Sequence, residues 1–592
     1  MIRLFGVYVS VQSTSSVLPP LAAVALAAAI AFQPMPAAAL SVVSDCMVQG
    51  SEASGLRLDP RPPADLPLDH WAYPLLTRLV ARGLLELDLT TLPVSRAQVA
   101  SALAKRAGRA QSEASRGAAG SAGEDRDERV SERERWALSI LTSEFLHGRV
   151  DEPLLVVRSR ESALGLGFVF GSEVSCAHAD VPTTAHPHDT RPHADVPTTA
   201  HPPDTRPLGE EPEDEFSVSG TLSYELWGGV GENLGFYADS TILLEKQDGP
   251  RTERLSSRAR TWRGFSVSAD RAYVRYEREN LGIAIGRRGA AWGRSPRGRL
   301  LVSGTAPTLD GVEARFRVGS LTLQALHAFL ERAGTDGAVG DTLRGDRVFL
   351  AAHRAVFSCS WGSLGLGEAV VYSGSIPDPA YLNPLLPYYV SQHNERANDN
   401  ILWSLDFAAR PVRGLEVWGE FLVDDLQYDR DTGHPDKYGA TVGAAYYGTF
   451  DSKDWELTCE YTNVRKWTYT HHVTEHRHTH DGRPLGFELG PDADRAVVEL
   501  VYHPSALWGV SAGYSFSREG EGSATVPFVE GEDDEPTFPS GDVLYGHRTA
   551  MSLGYEDPGG LCAQFGGAFV LGWSDLRNED SYEFWARVRF RI

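Results

Sequence analysis

The stretch YLNPLLPYYVSQHNERANDNILWSLDFAARPVRGLEVWGEFLVDDLQYD, residues 381–429, decides the fold. After a Pro-rich aromatic loop it contains two alternating segments. In the first, Ile401, Trp403, Leu405 and Phe407 alternate with Ser404, Asp406 and Arg410. In the second, Leu415, Val417, Phe421 and Val423 alternate with Glu416, Glu420 and Asp424. Successive side chains of a strand point to opposite faces, so each segment is a strand with one apolar and one charged face. The residues between, 411–414, supply the turn.

The pattern recurs over the C-terminal two thirds of the chain. Ala272, Val274 and Tyr276 oppose Arg271, Arg275 and Glu277; Val312, Ala314, Phe316 and Val318 oppose Glu313, Arg315 and Arg317. Trp455, Leu457, Cys459 and Tyr461 oppose Glu456, Thr458 and Glu460, with Cys459 expected as a small packing residue. The chain ends SYEFWARVRFRI, in which Tyr582, Phe584, Ala586, Val588, Phe590 and Ile592 alternate with Glu583, Arg587, Arg589 and Arg591. A terminal strand of this kind, closed by an apolar residue, is the signature that bacterial outer-membrane barrels present to their assembly machinery. A soluble β-sandwich is the competing reading. The expected fold is mainly β: a large antiparallel transmembrane β-barrel of about 16–20 strands, even in number, with a small N-terminal helical periplasmic domain. A barrel that wide leaves an aqueous lumen unless plugged, with Asp406, Glu416, Glu420 and Asp424 facing inward.

Composition agrees. The 592 residues carry 56 Lys and Arg against 79 Asp and Glu, a net charge of −23, which repels phosphate and argues against a nucleic-acid partner. The five cysteines form no CxxC pair, so neither a zinc site nor a dense disulfide framework is indicated.

Residues 1–39 read as an export signal: Arg3, then an Ala/Leu/Val run over 17–32, then Ala37, Ala38 and Ala39. Residues 40–150 read as the helical periplasmic domain, with a linker over 108–130. Within it, HWAYPLLTRLVARGLL (His70–Leu85), followed by Ser95 capping a second helix, resembles a single S-layer homology repeat over 65–106; a plain helical hairpin is the alternative. Ser131 and Glu134 make a capping box for a third helix. Residues 151–592 read as the barrel. It is interrupted at 176–215 by an insertion in which HADVPTTAHPHDTRP (His178–Pro192) recurs as HADVPTTAHPPDTRP (His193–Pro207); such Pro-rich repeats bury no core and are expected to be disordered.

No nucleophile elbow, P-loop or HExxH motif is present, so an enzyme is not expected and no cofactor or metal site is assigned. His476, His478 and His480 alternate, but a polar loop is favoured over a metal site. Aromatic faces stack on sugar rings while Asp, Asn and His bond hydroxyls. On that chemistry Tyr388, Tyr389, Gln392, His393, Asn394, Asp399, Asp424, Trp467 and His471 are candidate polysaccharide-binding residues.

At these segments a resemblance becomes specific. YLNPLLPYYVSQHN, the DN before a strand, GEFLVDDLQYD and WTYTHH…THDGRPLGFELGPDADR resemble the capsule assembly Wzi family. WGRSPRGRLLVSGTAPTLDGVEARF (Trp292–Phe316) is similar to that family's WGpG…LLLS…AP..D pattern, with Arg294 and Ser295 standing where Pro-Gly is common. The likeness spans about residues 216–592. It implies an outer-membrane barrel acting as a lectin that helps assemble or attach surface polysaccharide, partnered by that polysaccharide, by outer-membrane lipid and, through the last strand, by the assembly machinery. A porin-like channel for small solutes is the alternative, and a soluble glycan-active enzyme is a third.

Overall fold

The structure, a computed structural model, describes residues 65–117, 130–147, 155–158, 162–179, 215–230, 233–248, 260–262, 265–332, 347–395, 397–426, 434–533, 536–557, 561–573 and 578–591. The export signal over 1–39 and the core of the His/Pro insertion lie outside them.

Among the described residues, eighteen long strands close a barrel. In chain order they are β1 (Ser162–Ala179), β2 (Glu215–Val230), β3 (Leu234–Asp248), β4 (Phe265–Arg278), β5 (Leu281–Arg288), β6 (Leu309–Val318), β7 (Leu321–Arg332), β8 (Arg347–Cys359) and β9 (Gly362–Gly374). They continue as β10 (Asn400–Val412), β11 (Leu415–Asp425), β12 (Lys437–Phe450), β13 (Lys453–Val464), β14 (Ala493–His503), β15 (Trp508–Glu519), β16 (Leu544–Glu556), β17 (Leu561–Trp573) and β18 (Asn578–Arg591). Each pairs antiparallel with the next, and β18 pairs with β1, so no edge remains. The number is even and within the expected range.

The alternation assigns the faces. Val274, Phe316, Phe357, Leu364, Leu405, Phe407, Phe421 and Tyr514 are exposed on the outside. A belt of exposed apolar side chains around a closed barrel is a lipid-facing surface. Cys459 shares this outer face and is exposed rather than packed in a core. Trp361, Phe450 and Trp508 are exposed near one rim, where an aromatic girdle sits. No described helix is long and apolar enough to cross a membrane.

The two rims differ. At one, two-residue turns join β4 to β5, β6 to β7, β8 to β9, β10 to β11 and β12 to β13. Asp451 and Ser452 both take positive φ, as the tight hairpin turn requires. At the other rim run the long connections 289–308, 375–399, 465–492 and 520–543. Short periplasmic turns and long outer loops are the usual polarity of such barrels.

Three helices sit at the short-turn rim: α1 (Ala72–Ala81), α2 (Arg96–Gly117) and α3 (Glu132–His147). Helix α2 runs ten residues into the stretch read as a linker from 108, because Ala, Arg, Gln and Glu outweigh its glycines as helix formers. Ser95 and Gln98 cap α2 reciprocally, and Ser131 and Glu134 do the same for α3. Leu66, Leu76, Leu79, Val99, Leu103, Leu141 and Phe145 form their common core. Buried Arg78 of α1 fastens this unit to the barrel through Asp454 at 2.9 Å and the Gly448 carbonyl at 3.1 Å, and it also meets Glu134 at 3.3 Å. Asp65 lies between Arg275 and Arg288, each 2.9 Å away. Burial alone raises the Asp65 carboxyl, but the guanidiniums of Arg275, Arg288 and Arg315 outweigh it and hold the group below its usual range.

The long connection 289–308 turns into the lumen. Ala291–Trp292 pairs there with Thr91–Leu92 of the helical unit. Trp292, Leu300, Leu301 and Val302 pack with Tyr469, Leu485 and Phe487 from the connection 465–492 against inward side chains such as Leu350, Val371, Leu402 and Leu422. Glu416, Glu420 and Asp424 face inward, as the sequence predicts, but they meet this insert and not an aqueous lumen. Glu420 accepts from Leu300 N at 3.1 Å and Leu301 N at 3.0 Å. Glu416 meets Arg294 at 2.6 Å, Glu460 accepts from Ser295 Oγ at 2.7 Å, and Asp424 accepts from Tyr469 N at 2.6 Å. Asp406 pairs with Arg354 on the neighbouring wall. Gly298 lies so close to the wall that a Cβ there would collide with Thr462 Oγ1.

Among the described residues, the core around the insert draws on β6–β11, β13 and β14. Along β15, β16 and β18 the inner face carries Ser511, Gly513, Ser515 and Ser552, half-buried, and an exposed Arg548 3.4 Å from Glu583. Small polar side chains and an exposed ion pair mark a hydrated arc.

Replacing Glu420 by Ala leaves two buried N–H groups without an acceptor, each costing about 1–3 kcal/mol. Glu420→Ala is expected to lower the urea midpoint of the folded barrel, read as loss of heat-modifiable migration on gels, while Glu499→Ala, on a partly exposed pair with Arg297, moves it little.

Candidate functional site

The nine candidate residues separate into three places. Asp424 and Trp467 belong to the insert side. Asp424 is tied to Tyr469 N, and Trp467 is 3% exposed with its ring edge-on to Phe528 at 5.1 Å. Asp424 is half-buried and Trp467 buried. Their adjacency to polar loop residues made them resemble sugar contacts in the sequence.

Tyr388 is also buried, 1% exposed. It begins helix α5 (Tyr388–Glu395), which with α4 (Pro379–Leu382) forms the connection between β9 and β10. Asp378 caps α4 through Ala380 N, and Pro379 occupies its first position. Tyr388 packs on His353 at 4.2 Å and meets Tyr381 edge-on at 5.5 Å. Tyr389 and His393, one helical turn apart, are exposed with stacked rings 6.5 Å apart. Asn394 is exposed beside them.

The remaining candidates, Gln392, Asp399 and His471, come together at the long-loop rim. Gln392 Nε2 donates to the Asp399 carbonyl at 2.7 Å, and the Tyr381 hydroxyl donates to the Asp399 carboxylate at 2.6 Å. His476 joins the two loops: its Nδ1 donates to the Asn398 carbonyl at 2.9 Å, its Nε2 accepts from Ser373 Oγ at 2.9 Å, and Asp399 lies 3.8 Å away. Asn398 Nδ2 donates to His472 Nε2 at 2.6 Å, and the His471 and His472 rings stand 4.2 Å apart. The rim thus offers amide, carboxylate, hydroxyl and imidazole groups beside flat rings. Sequence reading missed Asn398, His472 and His476 as one cluster, because 74 and 78 residues separate Asn398 from the two histidines it bonds.

The three alternating histidines do not converge. His476 ends a 3-10 turn, while His478 is buried, stacks on Tyr469 at 5.4 Å and donates to the Leu301 carbonyl at 2.7 Å. Among the described residues no group of three or more His, Cys, Asp or Glu is arranged to hold a metal. Burial pushes His478 down to about 4; burial, with His472 and His476 nearby, pushes His471 down to about 3. Burial raises the Asp399 carboxyl.

Comparison with known proteins places this geometry. Residues 211–556 match the family model described as capsule assembly protein Wzi. Sequence comparison with the curated proteins finds no match. Among solved structures, an Escherichia coli outer-membrane protein described as a carbohydrate-binding β-barrel involved in Group 1 capsule assembly aligns over 90% of this chain and 99% of its own, with a TM-score of 0.52 and 14% identity. Pseudomonas aeruginosa OprD aligns over 72% and 95%, with a TM-score of 0.37 and 12% identity, and carries no argument.

An unfolded histidine titrates near 6.5. Between that pH and about 4 the unfolded chain takes up a proton that folded His478 refuses. Stability therefore falls as pH drops through that window, by about 1.4 kcal/mol per pH unit for one such histidine. Urea midpoints measured from pH 6.5 to 4.5 are expected to decline, and His478→Phe is expected to flatten the decline.

Proposed function

The chain belongs to the capsule assembly protein Wzi family, and on that premise we propose that it is an outer-membrane β-barrel that binds cell-surface polysaccharide at its long-loop rim and helps assemble or attach it, without catalysis. The observation that carries this reading is the insert. The carboxylates that would select ions in an open pore are spent on Leu300, Leu301, Arg294, Ser295 and Tyr469, and a packed apolar core takes the place of water beside them. What the barrel then offers outside is its rim.

There, Gln392, His393, Asn394, Asn398, Asp399, His471 and His472 supply the hydroxyl-bonding groups. Each contact to a sugar is weak. A polymer repeats its unit, so several contacts along one chain, or several barrels on one polymer, provide retention by effective concentration. The last strand, β18, has the alternating pattern read by the barrel assembly machinery, which we assign as a transient partner.

The second reading, a porin-like channel, is favoured by one observation, the hydrated arc along β15, β16 and β18. Purified protein in planar bilayers separates the two. No steady current is expected of the lectin, whereas stable single-channel steps would favour the pore.

Deleting the protein is expected to lower cell-bound polysaccharide and raise the released fraction, each assayed separately. An unchanged bound fraction would sink the attachment role. A His393→Ala, Asn394→Ala, His472→Ala triple variant is expected to reproduce the shift with normal barrel abundance; retention equal to the parent would remove the rim from the binding site.

A further inference from the structure

One loop of the long-loop rim turns outward. The inner wall of β7–β10 is fixed by Leu326, Ala328, Leu350, Ala352, Ala369, Val371 and Leu402, all packed in the luminal core. Alternation then puts Phe349, Ala351, His353, Glu368, Val370, Tyr372 and Ile401 on the outer wall. Lower on the same outer wall Phe357, Leu364 and Leu366 are more than half exposed, as lipid-facing positions are. Yet Phe349, Ala351 and Val370 are fully buried, and Glu368 is 2% exposed. Their cover is the segment 376–391, through Tyr381 and Tyr388.

The cover is clamped. Both Glu368 carboxylate oxygens accept backbone N–H groups at the start of α5, from Tyr388 and Tyr389, at 2.8 Å each. His353 Nε2 lies 3.1 Å from the same carboxylate. The Tyr372 hydroxyl accepts from Asp378 N at 3.1 Å and is bonded to His327 Nε2 at 2.7 Å. A carboxylate in the outer wall of a membrane barrel is costly unless paired, and this one keeps only its wall neighbour His353 when the segment and its two N–H groups are absent.

The level of the clamp places the cover against lipid. Glu368 stands six residues above the start of β9, about 15 Å along the axis of a tilted barrel, inside an apolar band about 25 Å tall. Phe329 pairs with Phe349 in register and is itself 37% exposed, so the lipid-facing wall continues beside the cover at the same height. On its far side the segment exposes Ile376, Leu382, Leu385, Tyr389 and Val390. Its one charged residue over 376–391 is Asp378, which caps α4.

We propose that residues 376–391 form a lateral flap seated in the outer leaflet, with acyl chains of the outer-leaflet lipid as the occupant of its exposed apolar face. Leu382, Leu385 and Val390 enter the acyl region, and Tyr389 takes the interfacial position suited to an amphipathic ring. Tyr389 thereby leaves the sugar-binding set. The C-terminal end of α5, with Gln392, His393 and Asn394, stays at the polar rim.

The proposal rests on the membrane reading, so the test carries a position for each. p-Benzoylphenylalanine is placed at Leu385 in the flap and, separately, at Leu364 on the bare wall of the full chain, and cells are irradiated. The expected result is a lipid adduct, identified by mass, at both positions. An adduct at Leu364 with none at Leu385, or a Leu385 adduct to a second copy of the chain or to glycan without lipid, overturns the flap. Lipid adducts at neither position overturn the membrane reading itself. Glu368→Ala is expected to cut the Leu385 adduct about tenfold and leave that at Leu364 unchanged; equal yields in parent and variant overturn the clamp as what seats the flap.

Discussion

The structure depends on carboxylates that the barrel wall turns toward chain segments rather than toward water. Glu420, Glu416, Glu460 and Asp424 face inward at successive places on β11 and β13, and each receives a donor from an inserted loop. A buried charge is tolerable only when its hydrogen-bonding capacity is met. The wall therefore does not merely enclose the insert; without it these side chains would be stranded. The same rule holds Arg78 between Asp454 and Glu134, and Asp65 between two arginines. It ties three separate stretches of the chain, the helices, the connection 289–308 and the connection 465–492, to one wall.

This logic explains what was and was not legible in the sequence. Alternation is local, so the strands, their lipid-facing side and the even, closed ring follow from residues two apart. The capping pairs Ser95–Gln98 and Ser131–Glu134 are equally local. The insert is not. Leu300 and Glu420 are 120 residues apart, and nothing in the pattern of β11 says whether its acidic side meets water or backbone N–H. The departures from the family pattern, Arg294 and Ser295, turned out to be two of the groups that the wall carboxylates hold. The burial of Tyr388 and Trp467 was not legible for a related reason. An aromatic beside polar residues in a loop has the composition of a sugar platform whether its ring faces outward or packs on a wall.

Glu368 shows the same rule acting on the other side of the wall. On an outward-facing strand position it would break the apolar belt, and the loop that covers it restores that belt with its own leucines and tyrosines. The rim and the belt are thereby joined. Tyr381 packs on Tyr372 at 4.8 Å while its hydroxyl reaches Asp399, one group of the polar cluster above. A shift of the covering loop would be felt at the rim through Tyr381 and through Gln392, which both bond Asp399.

The seam between β18 and β1 encloses a contact made by a distant part of the chain. Thr91 and Leu92 precede the first strand in the chain, yet they lie paired with Ala291 and Trp292 in the interior, where Thr90 and Thr91 bond Arg354. β18, the last of the described strands in chain order, pairs with β1 and shuts the ring, so a contact made by residues near position 90 is enclosed by a wall whose closing strand lies almost five hundred residues further on.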